Sequence, residues 1–379
     1  MTALALTSLL AWIYLAFLHG KFWLPLVDEE APEPEIWPSV DIVVPARDEA
    51  GILPRSLPSL LSQNYPGAWR VILVDDHSAD GTGEIARQLA FNMNRDHKLV
   101  VVPAPELPTG WSGKVAAMQA GVSAGSSEYI LFTDADIEHP PHSMRRLVAR
   151  AFNDRLDLVS LMVKLHCVTF AEKLLIPAFV FFFAMLYPFR RVNNPYSNAA
   201  AAAGGVMLVR RKALLNAGGL ETIKSEIIDD CALARAIKRR GGLEGDPGSI
   251  RLTLARDVSS LRSYSSMRGI MNMISRTAFT QLRHSAPMLA LTVAGLALLF
   301  LAPVILPLLA NQKAALTGLV TWLLMSALYL PTVRFYRLEA LWALSLPAAA
   351  AVYITATIDS ARLYWQGRGG QWKGRAQAR

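Results

Sequence analysis

The chain has 379 residues, 53% of them hydrophobic and 18% charged, with a formal net charge of +8. That length accommodates one sizeable catalytic domain and a membrane region. The positive excess reads as positive-inside bias around membrane spans, with attraction to phosphates or anionic headgroups as an addition. It does not indicate nucleic-acid binding, since no basic helix or recognised binding motif accompanies it.

Residues 3–18 form an apolar run without charge, followed by Lys21. No positive charge precedes the run, as it would in a secretory signal, so residues 1–26 read as an uncleaved anchor whose C-terminal end is cytoplasmic. Residues 27–38 are rich in Pro and Glu, a linker composition. A water-soluble domain is expected over 39–261. Asp41-Ile-Val-Val-Pro45, Val71-Ile-Leu-Val74, Leu99-Val-Val-Val102 and Tyr129-Ile-Leu-Phe132 are short β-branched runs that predict buried parallel strands. Helical stretches at 51–63, 83–92 and 114–124 separate them, which predicts an α/β fold with an open, mostly parallel sheet flanked by helices. Ligands of such sheets bind beyond the carboxyl ends of the strands.

Residues 170–191 are apolar and aromatic between basic flanks, and predict a helix lying in the membrane interface. Residues 262–286 predict a second, amphipathic interfacial helix with Arg262, Arg268, Arg276 and Arg283 among Met, Ile and Phe. Three apolar stretches, 287–310, 314–330 and 338–358, fill a C-terminal membrane region taken as 287–366, before a basic tail at 367–379. The short loop 311–313 makes the first two a hairpin and returns Arg334 and Arg337 to the cytoplasmic side. If the third stretch also crosses, the basic tail ends outside, against that tendency. A bend at Pro347 or an incompletely crossing first helix would relieve the conflict.

The polar clusters fall at strand ends. Asp134-Ala-Asp136 follows the fourth run, and carboxylates so spaced can approach one Mg²⁺ or Mn²⁺ that shares its remaining ligands with a substrate diphosphate. An isolated Asp-x-Asp is more often a solvated turn; its register with other acidic strand ends favours the functional reading. Asp75-Asp76 ends the second run and can accept from base or ribose hydroxyls. Asp80-Gly81 reads as a turn. Lys114 stands at a helix start, a phosphate site or simply a surface lysine. Asp229-Asp230 open a helix, either to offset its dipole or to supply a general base. The small residues 199–205 are a loop admitting an acceptor, or plain packing.

Val44-Pro-Ala-Arg-Asp-Glu49, Val74-Asp-Asp-His-Ser-Ala-Asp-Gly-Thr82, Gly113-Lys114, Thr133-Asp-Ala-Asp-Ile137 and Ile228-Asp-Asp230 together resemble family 2 glycosyltransferases of the GT-A fold, over residues 40–242. The whole layout, with Arg276-Thr-Ala-Phe-Thr-Gln-Leu-Arg283 and Trp372-Lys-Gly-Arg375, resembles the hopene-associated glycosyltransferases called HpnB. The resemblance implies that Pro45, Arg47 and Glu49 line a nucleotide pocket and that Asp75 and Asp76 sit by uracil and ribose. It implies that Lys114 approaches the nucleotide and that Asp134 and Asp136 hold the diphosphate through Mn²⁺ or Mg²⁺. Asp230 would be the catalytic base, supported by Asp229. The implied partners are a nucleotide-sugar donor, with a uridine-diphosphate sugar expected, and a membrane lipid acceptor, with inversion at the sugar carbon. The implied location is the cytoplasmic membrane, with the catalytic domain facing the cytoplasm. The Gln-x-x-Arg-Trp motif of processive members is missing, since Gln281 is followed by Leu-Arg-His. That leaves Arg276 and Gln281 as candidate acceptor-side or diphosphate contacts and argues against processive synthesis. A dinucleotide-binding dehydrogenase would need Gly-x-Gly-x-x-Gly after the first strand, where Pro45-Ala-Arg-Asp-Glu49 stands instead. A noncatalytic membrane scaffold of the same fold is the remaining alternative.

Overall fold

The computed structural model describes residues 1–242, 247–264, 266–369, 371–372 and 375–376. The chain divides into two compact units. One comprises Leu26–Leu165, Arg191–Arg262 and Gln371–Arg379; the other comprises Met1–Pro25, His166–Arg190 and Ser263–Gly370. Of the expected basic tail at 367–379, residues 370, 373–374 and 377–379 lie outside the described residues.

The first unit is built on an eight-stranded sheet. In chain order its strands are β1 (Val40–Ala46), β2 (Trp69–Asp75), β3 (Leu99–Pro103), β4 (Tyr129–Thr133), β5 (Ile137–Glu138), β6 (Leu158–Lys164), β7 (Val206–Arg210) and β8 (Ile250–Ser260). In space they run β3-β2-β1-β4-β7-β6-β8-β5. The first four match the apolar runs and pair in parallel, joined by helices Leu53–Leu61, Thr82–Asn92 and Gly113–Ser123. The second half departs from the parallel expectation: β7 is antiparallel to both β4 and β6, and β5 is antiparallel to β8. The fold is therefore α/β with a mixed, mostly parallel sheet. Its core sets Val40, Ile42, Val44, Leu73 and Leu131 against Leu57, Leu60, Leu61, Leu147 and Val148, all at 2% exposure or less. Each such aliphatic side chain contributes roughly 1.5–3 kcal/mol by leaving water.

Residues 27–38 have almost no regular secondary structure, yet they are fastened along their length to the helix Ser143–Asn153 and to β8. Asp28 N–H donates to Leu254 O at 2.8 Å, and the buried Asp28 carboxylate accepts from Arg146 Nε at 2.8 Å. The Arg146 guanidinium also grips Asp257. Farther along, Arg145 pairs with Glu33, and Asn153 Nδ2 donates to Pro32 O. The segment is a strap.

The second unit is apolar. Helices Ala286–Leu309, Gln312–Phe335 and Ala340–Trp365 are long and apolar enough to cross a membrane, making this a multi-pass membrane protein; Thr2–Phe17 is a shorter apolar helix. Residues 297–301 form a π turn within the first of the three. The buried Trp12 donates its indole N–H to Leu299 O there at 2.8 Å, satisfying a carbonyl within the widened turn. Pro347 sits in the first turn of the helix Leu346–Trp365, where its missing N–H costs little, so it opens that helix and does not bend it. The helix Phe170–Leu186 begins with a capping box in which Thr169 and the fully buried Glu172 satisfy each other's backbone N–H groups. In place of one amphipathic helix over 262–286, the structure has Met267–Ser275 and Ala278–Gln281, interrupted at Thr277. Arg262 is not helical and belongs to the sheet unit.

Candidate active site

Three chain segments meet at the carboxyl ends of β1, β2 and β4. At the first, Pro45 is buried in β1 in register with Val74, and its missing N–H is tolerated near the strand end. Arg47 turns across to β2, donating Nη1 to Asp76 O at 2.7 Å and lying 3.4 Å from Asp76 Oδ2. Asp76 is 2% exposed, and its N–H donates back to Ala46 O, so the two strand ends are cross-tied. Asp75 has a local duty: its Oδ1 accepts from Ser78 N–H and closes the turn. Asp80, read as a turn residue, accepts from Thr82 N–H through Oδ1 and from Ala50 N–H through Oδ2, linking the β1 and β2 loops.

The second segment is the Asp134-Ala-Asp136 turn after β4. Asp134 Oδ1 is 2.9 Å from Lys114 Nζ, and Asp134 N–H reaches Gly205 O. Asp136 Oδ2 accepts from Ser260 Oγ at 3.0 Å and Arg262 Nε at 3.1 Å; Arg262 Nη2 in turn donates to Glu49 Oε1 at 3.2 Å. The turn rests on a buried polar cluster. His139 Nε2 is 2.9 Å from Thr133 Oγ1 and its Nδ1 is 3.2 Å from Ser143 Oγ, while Gln63 receives the Met144 N–H. Burial pulls the His139 pKa down to about 4, so the ring is neutral at physiological pH.

The third segment is the helix Asp229–Arg240, whose first two residues are the expected acidic pair. Asp230 Oδ2 accepts from Gly204 N–H at 2.8 Å, and Oδ1 from Cys231 N–H at 2.7 Å. Asp229 Oδ2 is buried without a hydrogen-bond partner in the protein and lies 3.6 Å from Lys114 Nζ. Lys114, at the start of the helix Gly113–Ser123 and 16% exposed at its side chain, thus joins the β4 turn to the acidic helix. Burial opposes its charge, but Asp134 and Asp229 hold its pKa above the ordinary lysine value. Burial raises the Asp134 carboxyl; Lys114 pulls it back, and Asp136 and Asp229 push it further up. Asp230 is raised to about 6 by burial and by Asp229.

Of the expected residues, Lys114, Asp134, Asp229 and Asp230 converge, as do Glu49 and Asp136 through Arg262, and Arg47 with Asp76. Arg276 and Gln281 belong to the other unit. There Arg276 closes the helix Met267–Ser275, and Gln281 Nε2 donates to Tyr187 Oη at 2.7 Å. Sequence reasoning missed Ser260, His139 and the placement of Arg262, and did not foresee that Gly204 N–H would bind Asp230. Only Gly204 carried a signal, in its small-residue run.

Among the described residues, no group of three or more His, Cys, Asp or Glu side chains is placed to hold a metal ion. Asp134 and Asp136 still fit a hard divalent cation that takes most of its ligands from phosphate and water. Both offer carboxylate oxygens, and burial, the leading cause of the raised Asp134 carboxyl, is joined there by repulsion from Asp136 and Asp229. Asp229 Oδ2, buried and without a hydrogen bond, is a further oxygen on this side of the cluster.

Residues 41–217 match the family model described as glycosyl transferase family 2. The chain is 30% identical over 122 residues to the undecaprenyl-phosphate 4-deoxy-4-formamido-L-arabinose transferase of Salmonella choleraesuis strain SC-B67, covering 32% of this chain and 35% of that protein. It is also 30% identical over 123 residues to glycosyltransferase AglE of Haloferax volcanii, covering 32% and 38%. The match thus spans little more than a third of either relative. Among solved structures, the mannosyltransferase PcManGT of Pyrobaculum calidifontis, in complex with GDP-Man and Mn²⁺, superposes with a TM-score of 0.57 at 20% identity, covering 95% of this chain and 98% of that one.

Proposed function

We propose that this chain, whose residues 41–217 match the glycosyl transferase family 2 model on a GT-A-like fold, is a glycosyltransferase of that family. It moves a sugar from a nucleotide-diphosphate sugar, a uridine-diphosphate sugar in our reading, to the hydroxyl of a membrane lipid, with inversion. The observation that carries this is the meeting of Asp134, Asp229 and Asp230 around Lys114 from three separate chain segments.

In this reading, Arg47, Glu49 and Asp76 hold the nucleoside at the ends of β1 and β2. Lys114 faces the diphosphate. Asp134 and Asp136 would hold a divalent cation, Mn²⁺ or Mg²⁺, which when bound offsets charge on the departing diphosphate. Asp230 takes the proton of the acceptor hydroxyl as its oxygen bonds to the sugar carbon, and the nucleoside diphosphate leaves with the electron pair of the broken C–O bond. Gly204 and Cys231 N–H groups fix the orientation of that carboxylate. The membrane unit keeps the enzyme at the lipid surface. We place the protein in the cytoplasmic membrane with the sheet unit in the cytoplasm, on the basic flanks of its apolar segments.

The hopanoid acceptor comes from the subgroup resemblance. A second acceptor, a polyprenyl phosphate, is favoured by the Salmonella relative, whose name specifies undecaprenyl phosphate. The two differ chemically. A hydroxyl must lose a proton, whereas a phosphate oxygen is already anionic and needs no base. The test is turnover by the purified protein in lipid nanodiscs, with a panel of nucleotide sugars, Mn²⁺, and either triterpenoid alcohols or polyprenyl phosphates. Transfer to an alcohol that Asp230→Asn abolishes supports the first acceptor; transfer to a phosphate that survives the substitution supports the second. Neither turnover nor donor binding with any nucleotide sugar would refute both.

A further inference from the structure

The helix that carries Asp230 also carries a buried lysine with no part in the chemistry above. Lys238 lies eight residues beyond Asp230, about 12 Å along the axis at 1.5 Å per residue. It is 5% exposed, and its ammonium donates to two backbone carbonyls, Val192 O and Ala199 O, each at 2.6 Å. Burial lowers its pKa to about 8, so at neutral pH it remains mostly charged and its hydrogen bonds are charge-assisted.

Those carbonyls flank the beginning of a segment that ends at the acidic cluster. After Ala199 the chain runs back toward the start of the helix. Ala200 to Ala203 are buried, Cys231 Sγ contacts Ala202 O at 3.6 Å, and Ala203 N–H donates to Ser160 Oγ at 2.8 Å. Gly204 N–H then reaches Asp230, and Gly205 O accepts from Thr133 Oγ1 and from Asp134 N–H. The five residue steps from 199 to 204 reach at most about 18 Å, which bounds how far this path can stray from the roughly 12 Å of helix. A Cβ at Gly204 would stand 3.3 Å from both Asp230 Oδ2 and Lys114 Nζ, which shows how tightly the segment passes the cluster. The alanines serve the same closeness, because larger side chains would lift the backbone off the helix.

We propose that Lys238 is a positioning residue for the base: it fixes the far end of residues 199–205, so that Gly204 and Gly205 hold the Asp230 carboxylate and the Asp134 turn at a set separation. This rests on the reading of Asp230 as base.

The test compares wild type, Lys238→Met and Lys238→Arg in nanodiscs. Lys238→Met keeps the length but cannot donate. The expected result is at least a tenfold loss of kcat with the donor Kd, measured by calorimetry with Mn²⁺, within twofold of wild type, and recovery of most of the kcat in Lys238→Arg. Unchanged kcat in Lys238→Met, or equal loss of kcat and donor affinity, overturns the proposal. Should Lys238→Met fail to fold, hydrogen exchange on the wild type decides. Slow exchange at Ala203 and Gly204, matching the helix Asp229–Arg240, supports it; exchange as fast as in residues 194–197 overturns it. An active Asp230→Asn enzyme would instead refute the base assignment, a different outcome from any of these.

Discussion

Arg262 Nε rests 3.1 Å from Asp136 Oδ2, on the carboxylate that the proposed cation would need. A guanidinium and a divalent cation cannot both occupy that oxygen without mutual repulsion, so Arg262 would compete with the proposed cation in donor-free protein. Arg262→Ala is therefore expected to bind Mn²⁺ more tightly in donor-free protein, by about threefold to tenfold. Titration calorimetry or Mn²⁺ electron paramagnetic resonance measures this directly. Weaker binding would mean that Arg262 supports the site, and absence of Mn²⁺ binding in both proteins would remove the cation from the reaction.

The raised Asp230 carboxyl sets the direction of the pH dependence. A base must be ionised, so log(kcat/KM) should fall with unit slope as pH drops below about 6. The stability contribution runs the other way: a carboxyl whose folded pKa is raised favours the folded state increasingly as pH falls from about 6 toward the ordinary Asp value, and is unfavourable above it. Asp230→Asn should lower transfer to a hydroxyl by at least about 10²–10⁴-fold while leaving donor affinity intact. A pH–rate profile flat to pH 5 would disprove this role.

Lys114 lowers the Asp230 pKa as well as holding Asp134 and Asp229. Lys114→Met should move the acid limb of the pH–rate profile to higher pH and weaken the donor by about tenfold, equivalent to 1.4 kcal/mol. A limb that stays in place would show that Asp230 does not feel this charge. The two effects are read from one set of rates and one binding isotherm.

Gly204→Ala places a methyl group against Asp230 and Lys114. A kcat loss of about threefold to tenfold is expected, with the melting temperature changed by only about 2–4 °C. A loss confined to stability would show that the close approach has no bearing on the reaction.

The buried Asp28–Arg146–Asp257 arrangement offers a test away from the site. Arg146→Leu strands the Asp28 carboxylate in the interior and should cost about 3–5 kcal/mol. Adding Asp28→Asn should recover part of that loss, because the uncompensated charge is gone. Thermal melts of the two variants in the same detergent provide the comparison.

The parallel half of the sheet was legible because β1 to β4 are short β-branched runs separated by helices, and β1, β2 and β4 lead into acidic clusters. The other half was hidden. β8 mixes Arg and Asp with its apolar residues, β7 is only five residues long, and the apolar helix Phe170–Leu186 interrupts the chain between β6 and β7. Nothing local announces that β7 will insert between β4 and β6. The acids at 134, 229 and 230 stand out at a strand end and a helix start, but the cation they share does not. Lys114 looks like any surface lysine until the Asp229–Asp230 helix is brought beside it. Arg262 reads as part of an interfacial helix because alternating Arg and apolar residues continue from 262 to 283; the backbone becomes helical only at Met267.

The discontinuity of the sheet unit has a consequence for synthesis on the ribosome. When residue 165 emerges, β4 and β6 exist, but β7, their shared neighbour in the finished sheet, has yet to be translated. The nascent chain must carry two bare strand edges through the production of an entire apolar helix before Val206–Arg210 can zip them together. Early release at that stage exposes adhesive edges beside a greasy segment, so the yield of active enzyme should depend on the chaperones and insertion machinery of the host.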